Sequence, residues 1–318
     1  MKIKPLEGFG SLGASATEIA YPFVNDEIAE LRKLLRSELL LVLPQAHFTK
    51  EQYYELSGLL GTIATHGQTR DKPTKHTTGY MDENDCPLFP GMDKVTAKKI
   101  NGKYNTVAPG FSKRLNWHCA EAQRDKINGV ERPMPEFVGL QGVEHTEGSI
   151  TQIVQMIDRF AEEPLSKQQE LRNLVMQWAY VEGDDAIVPD VPDELKTAET
   201  GHEGDFMDKK LPLVKTAING KDGLHFSPSQ ITGIVGGTDE EFNNLKNYIM
   251  NEYVQPKYIY DHVWKDGDIF YMDVHVTVHR RISTDGSISI PMEQLEKRLL
   301  HRIEVHDEYM LGKITNTL

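Results

Sequence analysis

The chain has 318 residues, of which 39% are apolar and 26% charged, with 35 Lys and Arg against 48 Asp and Glu. This composition suits a globular protein with a sizeable core, built as one large domain or two small ones. The formal net charge of -13 repels nucleic-acid phosphates, and no apolar stretch approaches the length of a membrane span, so both kinds of partner are disfavoured.

Cys86 and Cys119 are the only cysteines, too few for a disulfide framework. Met1 to Ser15 carries no apolar leader-like run. Both features point to a reducing, cytoplasmic setting.

In chain order, Ile28, Leu31, Leu35 and Leu39 recur at helical spacing behind Asn25 and Asp26. The run Leu39 to Leu43 stops at Pro44 and reads as a strand. Thr49 and Gln52 make a capping-box pattern ahead of Tyr53, Leu56, Leu59 and Leu60, predicting a second helix that closes at Gly61. Residues 66–115 are rich in Gly, Pro, Thr, Asp and Lys, with Val95 to Ile100 and Tyr104 to Val107 as candidate strands. A loop of that length inside a domain is usually functional or disordered. Ser149 to Gln152 and Ser166 to Gln169 repeat the capping-box pattern and predict two further helices.

Residues 182–208 are acidic, with Lys196 as their only Lys or Arg and with Pro189 and Pro192 breaking regular structure. They read as a solvated loop or as a lid over a site. Thr238 to Glu241 opens a helix that runs to about Tyr253. The remainder reads as strands: Tyr258 to Trp264, a Lys265–Asp266–Gly267 turn, Ile269 to Arg281, an Asp285–Gly286 turn, and Leu299 to Val305. The expected class is α+β, with a helical N-terminal part, a C-terminal sheet and no internal repeat.

Among twelve histidines, two stand in notable places. His118 lies in Asn116-Trp117-His118-Cys119-Ala120-Glu121. His279 ends an alternating run in which His275, Thr277 and His279 share one strand face and Val274, Val276 and Val278 the other. Neutral imidazole binds iron, zinc, copper and nickel, although a pair four apart on a strand, as His275 and His279 are, also occurs as a solvated stripe. Arg298 and Arg302 are four apart on a strand and share a face. An inward arginine is costly unless it meets an anion, and its paired donors suit a carboxylate. Surface ion pairs would explain them equally well by residue type alone.

These segments, in this order, resemble the taurine dioxygenase (TauD/TfdA-like) family of Fe(II)/2-oxoglutarate-dependent oxygenases from about Gly58 to the C-terminus. Asn116-Trp117-His118 resembles the family's Asn-Trp-His-x-Asp segment, and Gly148-Ser149-Ile150-Thr151 its Gly-Gly-Asp-Thr segment. Gly223 to Gly236 resembles its strand region ending Ile-Val-Gly. Trp264-Lys-Asp-Gly-Asp268 through His279-Arg280 resembles its Trp-x-x-Gly-Asp to His-Arg segment, and Arg298-Leu-Leu-His-Arg302 its Arg-x-x-x-Arg end.

The resemblance implies a double-stranded β-helix of the jelly-roll or cupin-like kind with flanking helices, forming a single catalytic domain over 1–318. Residues 66–115 and 182–208 would be active-site loops or a lid. It implies Fe(II), 2-oxoglutarate and O2 as cofactors, with His118 and His279 as metal ligands. Arg298 and Thr151 would hold 2-oxoglutarate, and Arg302 and Asn116 would lie at the substrate. The substrate implied is a small polar or anionic molecule, an amino acid among the candidates, and the family also allows a homo-oligomer.

One position departs from the family. The metal carboxylate belongs two residues after His118, where this chain has Ala120. Three readings follow. Glu121 reaches the metal through a bulge, because residues 118 and 121 of a regular strand face opposite ways. Alternatively, chloride occupies the place left by Ala120, as in the family's halogenating relatives. In the third reading, the chain binds ligands without catalysis. His145-Thr146-Glu147 is a weak competitor for His118. Cys119, one residue along, should face away as a small buried thiol. Lys72, Lys75 and His76 could extend an anion site, but read more simply as a solvated loop face.

Overall fold

The computed structural model describes residues 1–64, 89–96, 99–100, 103–104, 115–119, 126–127, 130–131, 134–178 and 209–307. Ala120, Glu121, Cys86, Lys72, Lys75, His76, the 182–208 segment and most of 66–115 lie outside these residues.

Two sheets organise the described chain. The larger has eight strands, in the order Lys2–Pro5, Ala14–Thr17, Leu40–Leu43, Ile269–Asp273, Phe137–Glu144, Leu299–His306 and Thr62–Ile63, with Met92–Thr96 also paired to Leu299–His306. The smaller has four strands, in the order Ile259–Val263, Ser149–Gln155, Thr277–Ser283 and Leu115–His118. Its pairings are all antiparallel.

Three apolar clusters follow from strand alternation. Val138, Phe270, Met272 and Leu300 of the larger sheet meet Ile153 of the smaller one, forming a core between the sheets. The opposite face of the larger sheet, with Phe137, Tyr271, Ile303 and Val305, packs on Ile28, Leu31, Leu35, Tyr53, Leu56 and Leu60. Those residues come from the helices Asn25–Glu38 and Lys50–Leu60. The outer face of the smaller sheet, with Trp117, Val154 and Val278, packs on Leu245 and Ile249 of the helix Asp239–Glu252 and on its C-cap residue Tyr253.

Several local expectations hold. Thr49 and Thr238 cap their helices through complete capping boxes, and Gly61 closes the second helix by donating to Ser57 O. Gly267 and Gly286 sit at φ +90 and +83 in the two expected turns.

Others are corrected. Ser149–Gln155 is a strand, not a helix, because it has an antiparallel partner on each side, Ile259–Val263 and Thr277–Ser283. The helix near Ser166 begins at Leu165 behind Pro164, so Ser166 lies inside it and caps nothing. The run Ile269 to Arg281 is two strands in different sheets. Between them the Asp273 carboxylate accepts hydrogen bonds from the backbone N–H of His275 and of Val276, both at 2.8 Å, and bends the chain. Sheet is also not confined to the C-terminal third, since strands from Lys2 onward build the larger sheet.

Candidate active site

The sheet register brings the two chosen histidines together. His118 ends its strand directly opposite His279, and their ring centroids are 4.1 Å apart. His118 Nδ1 lies 2.7 Å from the Asn116 carbonyl. A carbonyl only accepts, so Nδ1 carries the proton and Nε2 keeps its lone pair, the state a metal ligand needs. Asn116, expected at the substrate, therefore orients His118 through its backbone.

Both residues are half-buried, and charging their rings is costly. Burial, aided by the Arg302 and Arg281 charges, lowers His118 to about 4. Burial, then the His118 and Arg302 charges, holds His279 well below its usual range. Two neutral imidazoles side by side fit part of a metal centre. Among the described residues no third His, Cys, Asp or Glu completes a group of three, and Ala120 and Glu121 lie outside them.

The competitor motif falls away: His145 and Glu147 are exposed on the turn between two strands, where Asp266 accepts from the His145 and Thr146 amides. Cys119 turns away from His118 as expected. It is buried in the outer cluster, and burial pushes its thiol up to about 12.

Arg302 sits in the Leu299–His306 strand, in register with Leu140. Alternation places it and Glu304 on the same face as Leu300, which belongs to the core between the sheets. Arg302 Nη2 bonds Glu304 Oε1, with side-chain exposures of 13% and 1%. Arg298 precedes that strand, already extended at the end of the helix Met292–Lys297. It is buried, and burial followed by the Arg281 charge lowers its pKa well below the usual range.

Thr151 is buried in the smaller sheet, opposite Arg281. Its hydroxyl oxygen accepts a hydrogen bond from Trp264 Nε1 at 2.8 Å. The alternation that selects His279 also places Arg281 on the same face. It too is buried, which lowers its pKa to about 10.

A family model described as taurine catabolism dioxygenase TauD, TfdA family, matches residues 2–303. The chain belongs to the TauD/TfdA family. Among solved structures, a taurine dioxygenase from Burkholderia xenovorans aligns with a TM-score of 0.66 and 18% identity, covering 96% of this chain and 89% of that one. AAD-2 in complex with Mn(II) and N-oxalylglycine aligns with a TM-score of 0.65 and 17% identity, covering 96% of each chain. At such identity the likeness speaks to the fold. No curated protein matches the sequence. For this TauD/TfdA member, no helix among the described residues is long and apolar enough to cross a membrane.

Proposed function

We propose that this chain is an Fe(II)- and 2-oxoglutarate-dependent oxygenase that oxidises a C–H bond of a small molecule within a single catalytic domain. The observation that carries the reading is the His118–His279 pair, neutral and facing across one antiparallel register. Family membership supports the same cofactors. The strand orders support a double-stranded β-helix core: Met92–Thr96, Leu299–His306, Phe137–Glu144 and Ile269–Asp273 in one sheet, and the four-stranded sheet opposite.

When bound, iron with 2-oxoglutarate and O2 supplies the oxidising power for C–H cleavage, with succinate and CO2 as co-products. His118 and His279 would hold the metal, with Glu121 as the third ligand. Arg298 and Thr151 would hold the co-substrate. Arg302 would meet the substrate, and its partner Glu304 shapes what it accepts. A cation already joined to an anion fits a zwitterion, such as an amino acid, better than a lone anion.

Alanine at position 120 favours a second reading, a halogenase with chloride at the metal. An anaerobic titration with Fe(II) and 2-oxoglutarate, with and without chloride, tests both. A visible charge-transfer band is expected. Its absence contradicts the proposal, and a band that responds to chloride moves halogenation ahead.

A further inference from the structure

The candidate site includes two buried guanidinium groups. Arg281 and Arg298 are 3% and 5% exposed. They reach this region from different elements. Arg281 follows His279 by two residues on the same strand face and stands opposite Thr151 in the register. Arg298 is fixed by its backbone: its N–H donates to Gln294 O at 3.2 Å, and its carbonyl accepts from the Thr96 hydroxyl at 2.7 Å. The Arg298 Nε is buried with no hydrogen-bond partner among the described residues.

A buried guanidinium donor left unsatisfied is costly, and a second cation nearby makes it costlier. Arg281 shares the inner face of its strand with His279, and its charge is near enough to act on Arg298. The third wall is Thr151. A hydroxyl has one proton and two lone pairs, and an indole N–H only donates. With Trp264 Nε1 already donating to Thr151 Oγ1, the threonine proton remains available for an acceptor.

We propose that Arg281 is a second cation for the distal carboxylate of the 2-oxo acid co-substrate. Arg281, Arg298 and the Thr151 hydroxyl, oriented by Trp264, surround that carboxylate and make the site selective for dicarboxylic 2-oxo acids. A carboxylate offers about four lone-pair sites, enough for donors from three directions. A monocarboxylic 2-oxo acid would leave both guanidinium groups facing an apolar end. The inference rests on the proposed function, since it assumes that the histidine pair holds the metal to which such an acid chelates.

The test is calorimetric binding of N-oxalylglycine, an unreactive 2-oxoglutarate isostere, and of 2-oxobutyrate to the full chain loaded with Mn(II). Arg281→Met is expected to weaken N-oxalylglycine roughly ten- to hundredfold, the loss of one charge-assisted contact. It should leave Mn(II) affinity within about twofold and shrink the preference for N-oxalylglycine over 2-oxobutyrate, which a purely structural role would leave unchanged.

Arg281→Lys, which keeps the charge but loses the forked donor geometry, should fall between wild type and Arg281→Met. It also serves as the test if the methionine variant does not fold. Wild-type affinity and preference in Arg281→Lys or Arg281→Met, while Arg298→Met binds weakly, would overturn the role of Arg281 alone. Failure of the wild-type Mn(II) protein to bind N-oxalylglycine at all would instead remove the proposed function and this inference with it.

Discussion

Arg302 and Glu304, two residues apart on one strand, join their side chains on the face turned toward the smaller sheet, where Glu304 is 1% exposed. Breaking a buried pair from one side costs about 3–5 kcal/mol, whereas replacing both with apolar groups costs far less. Arg302→Met and Glu304→Met are each expected to destabilise by about that amount, and the double variant by much less than their sum. Urea denaturation of the four proteins checks this. Strictly additive losses would mean that the two side chains are not coupled.

Either histidine alone should be indispensable for metal. Removing a group that merely orients a ligand costs roughly 10–100-fold in affinity, so removing a ligand should cost at least the upper figure. His118→Ala and His279→Ala are expected to lose Mn(II) by about a hundredfold or more in equilibrium dialysis. A variant that retained the metal would exclude that histidine as a ligand.

Acid should unfold the protein well above the carboxylate range. Burial lowers His118 and His301 to about 4 and His262 and His275 to about 3, with His279 well below its usual range. Unfolded histidines protonate near 6.5, so between pH 6.5 and about 4 the unfolded chain takes up protons that the fold refuses. Each such histidine removes about 1.4 kcal/mol per pH unit.

Asp273 acts in the opposite sense. Burial raises it to about 7, so its contribution is fully present below 3.8 and is lost as pH rises through 7. Five histidines less one aspartate leave a slope approaching about 5 kcal/mol per pH unit. Urea midpoints at pH 7, 6 and 5 measure this slope, and a flat profile would contradict it.

Cys119 should be inert in the native state. Its buried thiol is pushed up to about 12, which leaves almost no thiolate at pH 8. In a Cys86→Ser background, a thiol reagent is expected to label Cys119 only as fast as the protein opens. Immediate stoichiometric labelling in native buffer would show that the thiol is accessible.

The residues that make up the candidate site carry local signals. The alternation that ends at His279 and the Arg298 and Arg302 spacing each need only a few neighbouring residues. Ser149 to Gln152 misled because a four-residue capping pattern carries no information about partners, and strands on both sides decide that segment. Tertiary pairing overrides such propensities.

Alternation puts His275 on the His279 face only where the strand is unbroken. The Asp273 side chain breaks it by bonding the backbone at 275 and 276, a local competition invisible to a two-residue period. Arg281 was within reach, since counting two more residues from His279 arrives at it. The Glu304 partner of Arg302 was harder, because spacing cannot say that a glutamate amid apolar neighbours is buried.

The Leu115–His118 strand is the outermost of its sheet among the described residues, with Thr277–Ser283 as its one strand partner there, through a register that shifts between His279 and Arg281. Such borders open first in native proteins. An ion gripped by His118 and His279 would act as a clasp across that seam, stabilising the closed form by mass action. Loading such an ion and sealing the seam would then be one equilibrium, and protease resistance near residue 115 would report the loaded fraction.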